Sequence, residues 1–191
     1  MPSPAPAPPP PPPTSSGSRR PVTGVLGQPK PPSVSLNGPT GAFLVELLIY
    51  SGSPFKDHWA FWVCSHRDPE LGVLVHATGD VRNGFQFEIK RSHDFRATGN
   101  RPSKRIPLQW VDGRYFNETA MFNHGSAPLK LALHMIKAPG KSLNTVDSKH
   151  ASGKKITQKN CQTWVIEGAN QLVVDSILTA AVVTYLRSIE Q

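Results

Sequence analysis

One cysteine in the last fifth of the chain stands where a nucleophile could be activated. In the stretch NCQTW, Cys161 follows Asn160, a good N-cap residue, so the cysteine is predicted in the first turn of a helix. The dipole of a helix N-terminus favours a thiolate and is expected to lower the pKa of the thiol. A cysteine nucleophile also needs a base and a group that holds the base in one tautomer.

Two histidines on neighbouring predicted strands could supply these groups. Period-two alternation puts His58 on one face of the stretch HWAFWVC, and His76 lies in the next stretch, GVLVHAT. If the chain turns back around Arg67, antiparallel pairing places His58 directly opposite His76, with Cβ atoms roughly 4.5–5.5 Å apart. A slip of one residue in register would separate the two rings. Cys161, His58 and His76 are therefore candidates for nucleophile, base and orienting group.

The same residues also have an ordinary structural interpretation. A cysteine on an apolar helix face is usually an inert core residue, and a histidine in a strand is usually a packed polar group. Cys64, in mid-strand and away from any helix start, is predicted to be plain core. No metal site is predicted, because metal-ligand spacing is missing among the other histidines, His66, His93, His124, His134 and His150.

No cofactor motif is predicted either. The stretch APGKS ends like a phosphate-binding loop, but that loop requires a glycine where Met135 stands. Nucleotide binding is therefore not expected.

The elements that must position the candidate residues are strands followed by helices. Apolar or alternating stretches predict six strands: AFLVELLIY, HWAFWVC, GVLVHAT, FQFEIKR, KRIPLQWV and LKLALHMIK. Pro107 would confine the fifth of them to a sheet edge. After a polar loop over about residues 139–159, helical spacing begins at Cys161, and Asp175 or Ser176 is the predicted cap of a second helix. This order predicts an α+β fold, an antiparallel sheet packed with C-terminal helices.

The first forty residues differ in composition from the rest. The stretch PAPAPPPPPPTSSGSRRPVTG has almost no large apolar side chains and cannot offset its own ordering entropy. Residues 1–40 are therefore predicted to be a disordered, proline-rich tail, and residues 41–191 a single domain. Such a tail is either a solvated spacer or a ligand for the aromatic grooves of SH3, WW or profilin-type partners.

Composition also bears on compartment and partners. Two distant cysteines without a secretory segment predict free thiols in a reducing, cytoplasmic setting. No apolar run approaches the roughly 20 residues that cross a bilayer, so a soluble protein is expected. The formal net charge of +8 is spread over several short stretches without aromatic interleaving. Binding to nucleic acid or to an anionic membrane is therefore a hypothesis that rests on charge alone.

The order DHWAFWV, VLVHAT, NCQTWV resembles the signature of the lecithin:retinol acyltransferase-like proteins, a circularly permuted branch of the NlpC-type papain-like thiol enzymes. The resemblance covers the order of elements across residues 43–175. It implies a permuted papain-like fold with Cys161 as nucleophile, His58 as general base and His76 as third polar residue. The domain is also similar to uncharacterised fungal proteins.

These observations predict cysteine-dependent acyl chemistry on an amide, ester or thioester, through a covalent thioester intermediate. The enzyme would be a thiol hydrolase or an acyltransferase, depending on whether water or another molecule accepts the acyl group. The alternative is a catalytically silent interaction module that recruits partners through its proline-rich tail.

Overall fold

The chain folds as a five-stranded antiparallel sheet followed by two helices, in agreement with the predicted α+β class. The computed structural model describes residues 29–65, 67–116, 136–140 and 159–191. The strands are β1 (Phe43–Tyr50), β2 (His58–Ser65), β3 (Asp68–Asp80), β4 (Gly84–Asp94) and β5 (Lys104–Val111). A 3-10 turn covers Gly113–Tyr115, and the helices are α1 (Cys161–Val174) and α2 (Ala180–Ile189). The predicted strand over 129–137 lies, apart from its last two residues, outside the described residues.

The sheet has the strand order β4-β3-β2-β1-β5. Pro107 lies in β5 at the sheet edge, as predicted, because proline has no N–H to donate to a second neighbouring strand. Strand β2 lies in the middle of the sheet, and six of its eight residues are buried. His58 is therefore the first residue of a central strand.

The two faces of the sheet carry different cores. On one face, Trp59, Phe61 and Val63 of β2 pack in a large cluster with Trp164 and other residues of the two helices. The other face carries a smaller apolar cluster, made of Leu48, Ala60, Trp62, Cys64, Leu74 and Phe95. The alternation predicted for β2 is thus confirmed, and Cys64 is a buried core residue.

Helix α1 begins where the sequence predicted, and α2 begins later. The Asn160 side chain accepts hydrogen bonds from the N–H groups of Gln162 and Thr163, at 2.8 and 3.2 Å. Asp175 or Ser176 was the predicted cap of the second helix, and this prediction is wrong. Asp175 is instead the C-cap of α1, and Ser176 has a φ of 58°, so a turn separates the helices before α2 begins at Ala180.

Part of the predicted tail packs on the domain. The Trp110 indole N–H donates to the carbonyl oxygen of Ser35 at 2.9 Å. Gly38 packs so closely against the same ring that a Cβ atom on residue 38 would be 2.2 Å from the nearest Trp110 ring atom. The first 28 residues, which include the proline run, lie outside the described residues. The predicted domain boundary at residue 40 therefore falls after a segment that already contacts the sheet.

We expect deletion of residues 1–28 to leave the melting temperature nearly unchanged, since that segment has almost no large apolar side chains. Deletion of residues 1–40 should lower it by about 3 °C, because it uncovers Trp110 and removes the hydrogen bond to Ser35. Thermal melts followed by circular dichroism measure both effects. A large fall caused by the shorter deletion would contradict the assignment of residues 1–28 as a solvated tail.

Candidate functional site

The two candidate histidines are in direct contact. The ring nitrogens His58 Nε2 and His76 Nδ1 are 2.8 Å apart, and the ring centroids are 5.1 Å apart. The predicted contact is therefore present, although the predicted register is wrong. Strand β2 pairs Phe61 with Val75, so the position opposite His76 in this register is residue 60, and His58 is its diagonal neighbour.

A bulge accounts for the difference in register. Cys64 pairs with Gly72 and Ser65 pairs with Asp68, so three additional residues of β3 lie between these two pairs. The bulge is anchored by the carbonyl oxygen of Pro69, which accepts hydrogen bonds from Trp62 Nε1 at 3.3 Å and from an Arg105 guanidinium nitrogen at 2.9 Å. The observed register differs from the predicted one by two residues, which keeps both histidines on one face of the sheet.

Glu88 extends the pair into a chain of three side chains. Its Oε2 lies 2.8 Å from His76 Nε2, and the two residues are direct cross-strand partners. A carboxylate can only accept, so His76 Nε2 carries the proton and donates it to Glu88. His76 Nδ1 is then an acceptor, and His58 Nε2 must be the donor between the two rings. These two hydrogen bonds thus leave the Nδ1 atom of His58 unprotonated, with its lone pair free.

Sequence reasoning missed Glu88, although a signal was present. The stretch GDVRNG is a strong turn sequence, and a hairpin closed there pairs Gln86 with Thr78 and Glu88 with His76. An acid directly opposite a histidine on the neighbouring strand can accept a hydrogen bond from its ring, as Glu88 does from His76.

Burial keeps both rings neutral at neutral pH. Burial, together with the neighbouring His76 and the charge of Lys90, lowers the pKa of His58 to about 4. Burial also lowers the pKa of His76, while the hydrogen bond and charge of Glu88 oppose that shift. For Glu88, burial acts to raise the pKa, but the hydrogen bond from His76 and the charge of Lys90 keep it below its usual range. At neutral pH the hydrogen-bonded series thus consists of two neutral imidazoles, His58 and His76, and the ionised carboxylate of Glu88.

The thiol of Cys161 lies against the backbone at the start of β2. Strand β2 pairs with β1 along its whole length but pairs with β3 only from Phe61 onward. The start of α1 lies against this unpaired edge, where Cys161 Sγ is 4.0 Å from the carbonyl oxygen of Asp57 and close to the N–H of Trp59. The sulfur therefore contacts the backbone immediately before and after His58. Among the described residues, no hydrogen bond joins the thiol to either imidazole.

Gln162, the residue after the cysteine, fixes the helix start against the strand. Its side chain is fully buried, and its amide nitrogen donates to the carbonyl oxygen of Asp57 at 2.8 Å. Its amide oxygen accepts from the N–H of Gln191 at 2.9 Å, and Gln191 in turn accepts from the N–H of Asp57. Nothing in the sequence distinguished this glutamine from a solvent-exposed helix residue.

The expected lowering of the thiol pKa is not what the structure gives. Burial raises the pKa of Cys161, whose exposed fraction is 7%, and the nearby N–H groups of Trp59, Gln162 and Cys161 itself offset this only in part. The prediction was wrong because it counted the helix dipole and left out desolvation. For Cys64, burial together with the charge of Glu46 raises the pKa to about 12. The charge of Arg105 and a hydrogen bond from the Trp62 side chain oppose that shift only in part.

We expect iodoacetamide at neutral pH to alkylate Cys161 severalfold faster than Cys64, because the thiolate is the reacting form, burial raises the pKa of Cys64 to about 12, and Cys64 is the less exposed of the two. Peptide mass spectrometry after timed quenching gives both rates. In denaturant the two cysteines should react equally, which serves as the control. Faster labelling of Cys64 in the folded protein would contradict the assignment of Cys161 as the accessible thiol.

The described residues include no group of three or more His, Cys, Asp or Glu side chains arranged to hold a metal ion. His93 is described and lies near the histidine pair, whereas His66, His124, His134 and His150 lie outside the described residues. Within the same described part of the chain, the helices are too short or too polar to cross a bilayer.

Comparison with known proteins shows the family of this chain. Residues 45–179 match the family of unknown function DUF6540, and the chain belongs to that family. The matched region begins in β1 and ends just before α2, so it contains His58, His76, Glu88 and Cys161. No curated protein and no solved structure matches the chain.

Proposed function

We propose that this chain carries out cysteine-dependent acyl chemistry in a circularly permuted papain-like fold. Cys161 is the nucleophile, His58 is the general base, and His76 orients His58. The substrate is an amide, ester or thioester. The acceptor is water in a thiol hydrolase or a second nucleophile in an acyltransferase.

The reaction follows from the protonation states of the two groups. His58 Nδ1 takes the thiol proton while Cys161 Sγ attacks the carbonyl carbon, and the N–H of Cys161 at the helix start stabilises the oxyanion. The intermediate then expels the leaving group, which takes the proton from His58 and leaves an acyl thioester on the sulfur. Water or an amine attacks the thioester with His58 again as base. The acyl group leaves, and the thiol is regenerated.

The observation that carries this proposal is the 2.8 Å contact between His58 Nε2 and His76 Nδ1. It is the first of two consecutive hydrogen bonds, and the second joins His76 to Glu88. It leaves Nδ1 of His58 unprotonated, which is the requirement for a base. The raised pKa of Cys161 means that the thiol is protonated at neutral pH, so the nucleophile needs that base. The contacts of Sγ with the backbone of Asp57 and Trp59 bring the sulfur to the strand end that carries His58.

Acylation of the sulfur tests the proposal. The full chain is incubated with an aryl acetate ester or an acetyl thioester, quenched in acid, and analysed by intact and peptide mass spectrometry. One acetyl group on Cys161 is the expected result in the wild type and in Cys64→Ala, and none is expected at residue 161 in Cys161→Ala. Equal acetylation of the Cys161→Ala and wild-type chains would contradict the proposal.

The prolines of the first 28 residues are proposed to recruit an SH3, WW or profilin-type domain in the cytoplasm. This role is compatible with the enzyme but does not need it. Failure of every acyl donor to label Cys161, together with proline-dependent binding of such a domain, would favour the catalytically silent interaction module.

A further inference from the structure

A cavity of about 360 Å³ lies beside the smaller apolar cluster, on the sheet face away from the helices. This volume falls in the range of small-molecule sites in proteins. The polar side chains that line it include His58, His76, His93, Lys90, Tyr50 and Asn100, and Leu74 contributes an apolar wall. Cys161 does not line this cavity, so the thiol chemistry does not by itself explain it.

Lys90 provides the positive charge of the cavity. Its side chain lines the cavity together with those of His58, His76 and His93, and its charge lowers the pKa of all three rings. Its ion pair with Glu88 is long, at 3.6 Å, because the same carboxylate oxygen is 2.8 Å from His76. Among the described residues that line the cavity, Lys90 is the only lysine or arginine. The ammonium group of Lys90, whose ion pair with Glu88 is long, is suited to bind a singly charged anion.

His93 is held in the wall of the cavity with one ring nitrogen unused. Its ring makes edge contacts with Phe95 and Trp62, at centroid distances of 5.1 and 5.9 Å. Its Nε2 atom is buried and has no hydrogen-bond partner in the described part of the chain. A buried polar atom without a partner is costly, and such an atom in a native structure calls for an explanation.

We propose that this cavity binds a small organic monocarboxylate through Lys90 and His93. The ammonium group of Lys90 pairs with the carboxylate, and His93 Nε2–H donates to it after a small adjustment of the ring. The hydroxyl group of Tyr50 and the amide of Asn100 are further donors, and Leu74 contacts the apolar part of the ligand. A phosphate dianion fits less well, because Glu88 already offsets part of the single positive charge. The proposal does not depend on the acyl chemistry proposed above.

Binding is measured on the full chain with the Cys161→Ala substitution, so that failure of the thiol chemistry cannot affect the result. Histidine ring resonances are followed by NMR while benzoate, benzamide or inorganic phosphate is added. Benzoate should shift the resonances of His93 and His58 saturably, and the other two probes should bind at least about tenfold more weakly. Equal binding of benzamide would overturn the role of charge, and tighter binding of phosphate would overturn the choice of a monoanion.

Single substitutions then test the two residues that carry the proposal. Lys90→Met should weaken benzoate binding at least about tenfold, since a charge-assisted hydrogen bond is lost. His93→Phe keeps a ring between Phe95 and Trp62 but removes the nitrogens, and it should weaken binding severalfold. Lys104→Met is the matched control. Lys104 is exposed, and its cross-strand partner Ile49 belongs to the large cluster, on the sheet face opposite the cavity. Unchanged affinity in Lys90→Met, with the fold checked by its melting temperature, would overturn the proposal.

Discussion

Replacing His58 by alanine is expected to lower turnover of an aryl ester or thioester by about 10²–10⁴-fold, the usual contribution of a general base. The reason is that burial raises the pKa of the Cys161 thiol, so little thiolate exists at neutral pH without a group that takes the proton. The measurement is the steady-state rate with a substrate that the wild type accepts. Alkylation of Cys161 by iodoacetamide should slow in parallel, because it needs the same thiolate.

Added imidazole separates a chemical role of His58 from a structural one. It should restore part of the activity of His58→Ala, because a small base can occupy the space of the missing ring. It should restore none in Cys161→Ala, which serves as the control. An unchanged rate in His58→Ala would remove His58 as the base, whereas a loss of activity with a large fall in melting temperature and no rescue would indicate a structural histidine.

The sequence was sufficient to predict which face His58 occupies, because that face depends only on alternation. In HWAFWVC, alternate residues go to opposite cores, with Trp59, Phe61 and Val63 on one face and Ala60, Trp62 and Cys64 on the other. The side-chain cap of α1 was also predictable, since Asn160 supplies the oxygen that the first N–H groups need. Such local features depend on a few neighbouring residues, which a single sequence contains in full.

Long-range features of the site were not predictable in the same way. The register between β2 and β3 depends on a bulge at Pro69, and that bulge is held by Arg105 from the far edge of the sheet. The pKa of Cys161 depends on how deeply the helix start is buried against the strand, which no motif specifies. The histidine contact was predicted in spite of the wrong register, because a shift of two residues does not change the face.

Replacing His76 by alanine is expected to lower turnover by about 100-fold, less than the loss of the base itself, because His76 acts only through His58. Alanine removes the acceptor of the proton on His58 Nε2, so the ring is free to adopt the other tautomer or to rotate. His76→Asn should retain more activity, since its amide oxygen can lie near the position of Nδ1 and accept the same hydrogen bond. If both variants equal the wild type, the orienting role of His76 is excluded.

The pH dependence of kcat/KM shows whether His76 acts through His58. The base must be neutral, so activity should be lost as the pH falls through the pKa of His58, which is about 4 in the wild type. Burial and the neighbouring His76 both lower that pKa, and replacing His76 by alanine relieves both. The acid limb of the profile should therefore move upward toward the ordinary histidine value near 6.5. A purely structural role would lower the melting temperature and leave the acid limb of the profile in place.

Glu88→Ala provides a second variant for this test. The Glu88 side chain is 40% exposed, so its removal should leave the fold intact while it removes the hydrogen bond to His76. It should cost less activity than His76→Ala, since water can accept the proton of His76 Nε2.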